Sequence, residues 1–465
     1  MELDKSLKKP LSTDFQVEKR TYSSFDAEEA PIYVKNIRLN PGITKQNFYS
    51  CVAHYLIMTF GFVMPGVLQP LIILDKSYYN VDQDSVGTIT SLVLVIQLVV
   101  KIIVSIPYGH LSDKIGRKTM IFYGACSYLI SCLLVPLQTS IFPGLVLAKV
   151  LLSNGSSALG SVPLIADYIH DDSKGKMSGI SAMFLGVAAV FTAILFQIFL
   201  YAGITLGTCY VITGIFVFTA LILNTMGLKG GYYSPRKPQP AQEKINTVSL
   251  KQNIKEAIKA FKSDGWLMIS LVLNILGSSD FFIFFTFLTL YVKSLFPPET
   301  DDAISNRAVT RLQILVMIPA FFCNWFYGNF LDKPNKAFHV SLFALGGGIL
   351  SFLLIASSSA PYDWKLIFAS LVMGSTVPGL FVIGHYLGAR NFPEDKRGIM
   401  IGFTGLVGQV GFFIISSAGG LLYDHWRKDG PFLICSGLLL LAIMLVLRIH
   451  KVMIENKQIT GNLSL

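Results

Sequence analysis

The residues of this sequence that could do chemistry are ionisable groups set inside long apolar runs. Lys101, Lys149 and Asp280 each stand in such a run, with the amide side chains of Gln97, Asn274 and Gln409 in comparable places. A central Lys or Asp costs roughly 2.5–3.5 kcal/mol on membrane-insertion scales, so a charge kept there points to a pathway for a polar solute or a proton. No nucleophile–base spacing, metal-ligand cluster or phosphate-cradling G-x-x-x-x-G-K-[ST] stands in the chain. An enzyme, a cofactor, a bound metal and ATP-driven pumping are therefore not expected. The six Cys have neither C-x-x-C spacing nor His partners and read as buried structural thiols.

Lys101 belongs to a stripe. Thr90, Gln97, Lys101, Ser105 and Tyr108 recur at helical spacing, which sets them on one face that should look into a helix bundle. Lys101 lies about 12 Å before Gly109 at a rise of 1.5 Å per residue. Its side chain tilts toward the helix N-terminus and away from the nearer surface, so a cavity-lining role is expected over snorkelling. Lys149 tilts toward its own near surface, where snorkelling competes with a role in the pathway. Asp280 sits in Leu276-Gly-Ser-Ser-Asp-Phe-Phe282, where Gly277, Ser278 and Ser279 leave a weakly helical patch that could admit water. A carboxylate whose surroundings alternate between a wet cavity and the neighbourhood of Lys101 could couple proton movement to transport. The same residue could instead bind a cationic solute, or be hydrogen-bonded to Asn274 for packing. His54, Gln69 and His385 read as satisfied helix contacts.

These side chains must be held by elements that cross a bilayer. Apolar residues make up 52% of the chain and charged ones 14%, and the mean hydropathy is +0.56, too apolar for one soluble core. Apolar runs lie at about 49–74, 84–107, 118–138, 143–169, 175–201 and 206–228, then at about 265–293, 308–331, 336–358, 363–388, 397–424 and 431–454, each near the roughly 20 residues that span 30 Å of hydrocarbon. The expected fold is an all-α membrane protein of twelve transmembrane helices in two pseudo-symmetric six-helix halves. Residues 1–47 read as a disordered polar tail without an apolar signal segment, so that insertion relies on the first helix. The first half is 48–228, the linker 229–264, the second half 265–454 and the last tail 455–465.

Orientation follows from the basic residues. Lys114, Arg117, Lys118, Lys174, Lys176, Lys333, Lys336, Arg390, Lys396 and Arg397 fall in alternate connections, with Arg448 and Lys451 after the last helix, which places those connections and both termini in the cytoplasm. The net charge of +10 follows from this asymmetry and suits an anionic membrane face, with no call for nucleic acid. In the linker, Leu250, Ile254, Ile258 and Phe261 recur at helical spacing beside Lys251, Lys255, Lys259 and Lys262, the pattern of an amphipathic helix lying on that face.

Between the second and third runs stands Gly109-His-Leu-Ser-Asp-Lys-Ile-Gly-Arg-Lys118, echoed half a chain later by Gly328-Asn-Phe-Leu-Asp-Lys-Pro-Asn-Lys336. The pattern G-x-L-x-D-x-x-G-R-K resembles the loop signature of the major facilitator superfamily, and the resemblance covers nearly all of 48–454. It implies that Gly109, Asp113, Gly116, Arg117 and Lys118, with Gly328, Asp332 and Lys333 in the second copy, latch the halves at the cytoplasmic mouth. On physical grounds Gly109 would let a neighbouring helix pack close there, and Asp113 and Arg117 would form an ion pair that opens and closes. Two further loops are similar to superfamily elements: Asp167-Tyr168 before Lys174-Gly175, and Pro393-Glu-Asp-Lys-Arg397-Gly398. Lys149 and Lys174 stand where the superfamily usually has Arg, which removes a planar bidentate donor. The fifth helix lacks G-P-x-x-G-G, which lowers a drug/proton antiporter reading. Met64-Pro65-Gly66 and Pro378-Gly379 can kink two helices that line the pathway in the superfamily.

The function expected is secondary transport of a small polar or organic solute by alternating access, by a monomer whose partners are that solute, the lipid bilayer and a proton if transport is coupled. A receptor or lipid scramblase on the same scaffold is the alternative.

Overall fold

A β-hairpin precedes the first long helix. In the computed structural model, which describes residues 32–75, 77–79, 81–82, 84–170, 173–230, 250–331, 336–391 and 397–462, Tyr33–Val34 (β1) pairs with Ile37–Arg38 (β2) across a turn in which Lys35 and Asn36 both have positive φ. Val34, Ile37, Leu39 and Ile43 are buried. The disordered tail expected over 1–47 is therefore corrected from Ile32 onward, and 1–31 lies outside the described residues. Four apolar side chains give this short segment enough buried surface to offset its ordering entropy.

Thr44 then caps α1 (Lys45–Leu74) in a capping box: Asn47 N–H donates to Thr44 Oγ1 at 3.2 Å and Thr44 N–H to Asn47 Oδ1 at 3.0 Å. Helix α2 (Val86–Ile115) ends at Gly116, whose φ of 94° and ψ of 152° suit only glycine, and α3 (Arg117–Leu134) begins at the next residue. The second Gly of the signature is thus explained by the corner it turns. After a π-helical turn, α4 (Val146–Gly160) stops before Val162-Pro163, and a separate short helix, α5 (Leu164–Tyr168), follows. The single run expected at 143–169 is broken there because Pro163 lacks an N–H and disfavours helical backbone in the residue before it. The first half closes with α6 (Lys174–Tyr201) and α7 (Leu206–Thr225).

Linker residues 231–249 lie outside the described residues. Helix α8 (Leu250–Ser263) is the expected amphipathic helix: Phe261 is buried with Leu267, Met400 and Phe403, while Ile258, Lys255, Lys259 and Lys262 are exposed. The second half comprises α9 (Gly265–Ser294), α10 (Asp302–Leu331), α11 (Lys336–Ala356), α12 (Trp364–Asn391), α13 (Arg397–His425) and α14 (Gly430–Asn462). Among the described residues, ten helices are long and apolar enough to cross a membrane. The expected count of twelve includes α6 and α10, which are 28 and 30 residues long but do not meet that measure over their described residues. Large exposed apolar side chains girdle the bundle, such as Ile103, Phe191, Phe322 and Leu441, as suits a lipid-facing surface.

Duplication is visible in the packing. Within the first half α3 packs on α4 and α7, α1 on α6 and α7, and α2 on α4; in the second half α11 packs on α12 and α14, α9 on α13 and α14, and α10 on α12. Each pair in one half has its counterpart in the other. Between the halves there are two seams, α2 against α13 and α6 against α10, with a smaller contact of α1 with α9. Exchanging the halves turns each seam into the other.

Candidate substrate pathway and gates

Helix α2 has two faces. Leu92, Val99 and Ile103 are exposed on the lipid side, and Thr90, Gln97 and Lys101 fall on the opposite side by helical spacing. The amide nitrogen of Gln97 donates to Gln69 Oε1 at 2.9 Å, and Ser153 donates to the Gln97 carbonyl at 2.6 Å, which ties α2 to α1 and α4. The Lys101 ammonium lies 5.1 Å from the centre of the Phe62 ring. The lower part of the stripe is structural: Ser105 donates back to the Lys101 carbonyl and Tyr108 bonds Asn154.

Lys149 is 1% exposed and does not snorkel. Its ammonium donates to the Tyr210 hydroxyl at 2.7 Å, and Tyr210 in turn reaches the Pro65 carbonyl at 3.3 Å, so a polar anchor inside the first half holds it. In the second half, Asn274 donates to the Ser270 carbonyl at 2.9 Å and packs against Gly384 of α12. Asp280 is fully buried beside the thiol of Cys435 of α14, a weak donor, with no N–H or O–H donor on either carboxylate oxygen among the described residues, and Asn274 bonds elsewhere. Gln409 on α13 is half-buried, its carbonyl oxygen without a donor among the described residues, while His385 on α12 is exposed and His54 is buried with the Leu159 backbone beside its ring.

At the end of the bundle that carries the signature loop, termed the motif end, a β-carbon at Gly109 would meet nothing within 4 Å among the described residues. Arg117 Nε pairs with Asp167 Oδ2 at 2.8 Å and Nη1 with Ser112 Oγ at 2.8 Å. The side chains of Asp113, Lys174 and Arg397, the surroundings of Gly175, Gly328 and Gly398, and the whole of Asp332 and Lys333 lie outside what the structure describes. Lys118 is half-buried at the start of α3. The hairpin straps this corner: Asn40 Nδ2 donates to the Asp167 carbonyl at 2.9 Å, Asn40 N–H to the Tyr168 carbonyl at 2.9 Å, and His170 N–H to the Arg38 carbonyl at 3.0 Å. Tyr168 accepts from Lys229 N–H at 2.8 Å, and burial pushes its hydroxyl up to about 12.

At the other end, termed the far end, the halves are joined by polar contacts that sequence reasoning missed. Asp424 near the end of α13 accepts from Gly87 N–H at 2.9 Å and Thr88 N–H at 2.6 Å, the first turn of α2. Ser85, the N-cap of α2, makes no side-chain cap bond, so the other half supplies the cap. Gly87 and Gly420 allow the approach, since a β-carbon on either would collide with the opposite helix. Across the second seam, Arg311 of α10 donates to the Tyr201 hydroxyl at 2.9 Å, and the Arg307 guanidinium lies 4.8 Å from the centre of the same ring. Lys428 comes within 4.0 Å of Asp84 beside the first seam.

The sequence profile described as Major Facilitator Superfamily matches residues 51–360 and 295–459. The magnetosome protein MamH of Paramagnetospirillum magneticum is 23% identical over 381 residues, which is 78% of this chain and 83% of that protein. The magnetosome protein MamZ of the same organism is 24% identical over 408 residues; the match takes in 82% of this chain and 59% of MamZ. Among solved structures, a mutant of the nucleoside transporter NupG superposes with a TM-score of 0.64 at 14% identity, covering 87% of this chain and all of that one, a likeness of fold.

Proposed function

The chain belongs to the Major Facilitator Superfamily, and from that premise we propose that it is a secondary transporter that moves a small polar solute by exposing one central site to the two sides of the membrane in turn. The carrying observation is the contrast between the ends. The far end is joined along both seams, by Asp424 on the first turn of α2 and by Tyr201 under Arg307 and Arg311, while Gly109 at the motif end has open space beside it. Halves joined at the far end, with open space beside Gly109 at the other, fit one half of an alternating-access cycle. The basic residues at the motif end favour a cytoplasmic position for it, which makes this conformation inward-facing with both termini inside.

Purified protein in liposomes, offered a labelled solute library with and without an imposed proton gradient, tests the reading. Accumulation or counterflow of at least one solute is expected. Absence of both with every solute, together with lipid scrambling by the same liposomes, would replace it by the scramblase reading.

Asp280 favours proton coupling as a second element, because a buried carboxylate that faces a weak thiol donor, with no N–H or O–H donor among the described residues, is costly to keep there for packing alone. It lies against α14, away from the α2–α13 seam, so the coupling it supports runs through rearrangement of α9 and α14, and direct contact with Lys101 or a cationic solute is not part of it. Asp280→Asn should abolish accumulation driven by a pH gradient and spare solute exchange; full pH-driven accumulation in that variant removes the coupling role.

A further inference from the structure

The face of α1 that looks at Lys101 carries a vacancy. Phe62, Gly66 and Gln69 follow one another at four and three residues, which stacks them on one side of the helix. On α2, Gln97 and Lys101 are one turn apart. Gln97 is bonded to Gln69, and Lys101 sits over Phe62, so the two helix faces meet at both ends of this short stretch. Gly66 lies between those two contacts, and a β-carbon built on it would touch nothing within 4 Å. An open space is thus framed by the Gln97–Gln69 pair on the far-end side and by the Lys101–Phe62 contact on the motif-end side.

Its chemistry has one sign. Gln69 accepts from Gln97 and its side chain is only 2% exposed with its amide nitrogen closed off, so this pair shuts the far-end side of the space and leaves Lys101 as the charge beside it. Lys101 has no hydrogen bond or ion pair among the described residues; the ring of Phe62 is what its ammonium faces. Asp280, the carboxylate set deep in the second half, is turned to Cys435 and does not balance it. An ammonium with no counter-ion among the described residues, beside an open space inside the membrane, is complementary to a negative charge. The Phe62 ring serves as the placeholder that a cation accepts when no anion is present.

We propose that the solute carries an oxyanion group, a carboxylate or a phosphate, which binds in this space against the Lys101 ammonium, with Gly66 providing the room. The assignment rests on the transport reading for its purpose, and on geometry alone for its location.

The full-length protein in nanodiscs, titrated with sodium succinate, inorganic phosphate and neutral succinamide and followed by thermal unfolding and calorimetry, tests it. At least one of the two anions should bind and raise the unfolding midpoint, and the arm that responds identifies carboxylate or phosphate; succinamide should do neither. Lys101→Met should weaken that binding by about tenfold or more, as expected for losing one charged hydrogen-bond partner, while Lys101→Arg keeps most of it. Gly66→Leu, which fills the vacancy without meeting a neighbour at its β-carbon, should weaken it as well and keep the fold. Failure of both anions to bind the wild type, or equal binding by Lys101→Met, overturns the inference. Because binding is read without transport, a protein that binds an anion this way and moves nothing in liposomes overturns the transport reading alone, and one that moves a neutral solute and ignores both anions overturns this inference alone.

Discussion

Replacing Asp424 with Ala removes the group that caps α2 from across the seam. Two hydrogen bonds, at 2.9 and 2.6 Å, run from the Gly87 and Thr88 amides to its carboxylate, and Ser85 does not take over the cap as placed. A hydrogen bond to a charged group contributes about 1.5–3 kcal/mol, and a carboxylate at a helix N-terminus adds about 0.3–1 kcal/mol. Asp424 is half-buried and water can replace part of the loss once the seam parts, so about 2–3 kcal/mol is a fair net figure for the pair. At 1.4 kcal/mol per tenfold, the far-end-closed state would lose roughly 30- to 150-fold in population relative to the open one. Ser91, buried in the same seam against Gly420, provides the reporter. In a Ser91→Cys background, labelling by a membrane-impermeant maleimide should accelerate by an order of magnitude or more on adding Asp424→Ala. Asp424→Asn, which keeps one acceptor oxygen, should give a smaller acceleration. An unchanged labelling rate in a folded Asp424→Ala protein would refute the idea that this cap holds the seam.

Other contacts make comparable demands. Ile37→Asp places a charge in the buried side of the hairpin and should release the strap locally, which is read as faster hydrogen exchange at the Asn40 and His170 amides with little change in global stability; protected amides in this variant would contradict the packing described. Charge reversal of Lys255, Lys259 and Lys262 should reduce photocross-linking of α8 to anionic lipid without loss of the Phe261 contact, and undiminished cross-linking would mean that α8 does not meet the membrane through that face. Asp113→Asn should shift cysteine accessibility toward the inward-open pattern, and an unchanged pattern in a folded variant would remove Asp113 from the gate.

How much of this was legible in the chain depends on the range of the interaction. Helix spans were, because a run of apolar residues of fixed length is a local property, and so was the side of α2 on which Lys101 lies, because its stripe contrasts with Leu92, Val99 and Ile103 on the same helix. The direction of Asp280 was not. Helix α9 is apolar on nearly every side, so periodicity has no polar face against which to orient the carboxylate, and only the position of α14 decides it. Lys149 was misjudged for the related reason that Tyr210, its partner, comes from another helix. Asp424 and Tyr201 could be recognised only once the seams were known, since each meets a helix far away in sequence. The hairpin was readable in part: Val34, Ile37, Leu39 and Ile43 around Lys35-Asn36 are an apolar alternation with a turn, but two-residue strands inside a charged tail fall below the length at which pattern separates from chance.

The two far-end latches also occupy equivalent places in the internal repeat. Gly398 stands to Gly175 as Asp424 stands to Tyr201, and Gly328 stands to Gly109 as Arg307 stands to Thr88, each at the same separation along the chain. The pair Asp424–Thr88 and the pair Tyr201–Arg307 are therefore images of one ancestral position under exchange of the halves, carrying different chemistry: an anion on backbone amides in one seam, an aromatic ring under a guanidinium in the other. What the duplication retained is the place where the halves are pinned, and the means of pinning was free to drift independently in each copy. Such a pair of sites is interchangeable in principle. Asp424→Tyr combined with Thr88→Arg would write the second seam's solution into the first and yield a far-end gate with the same chemistry on both sides of its two-fold axis.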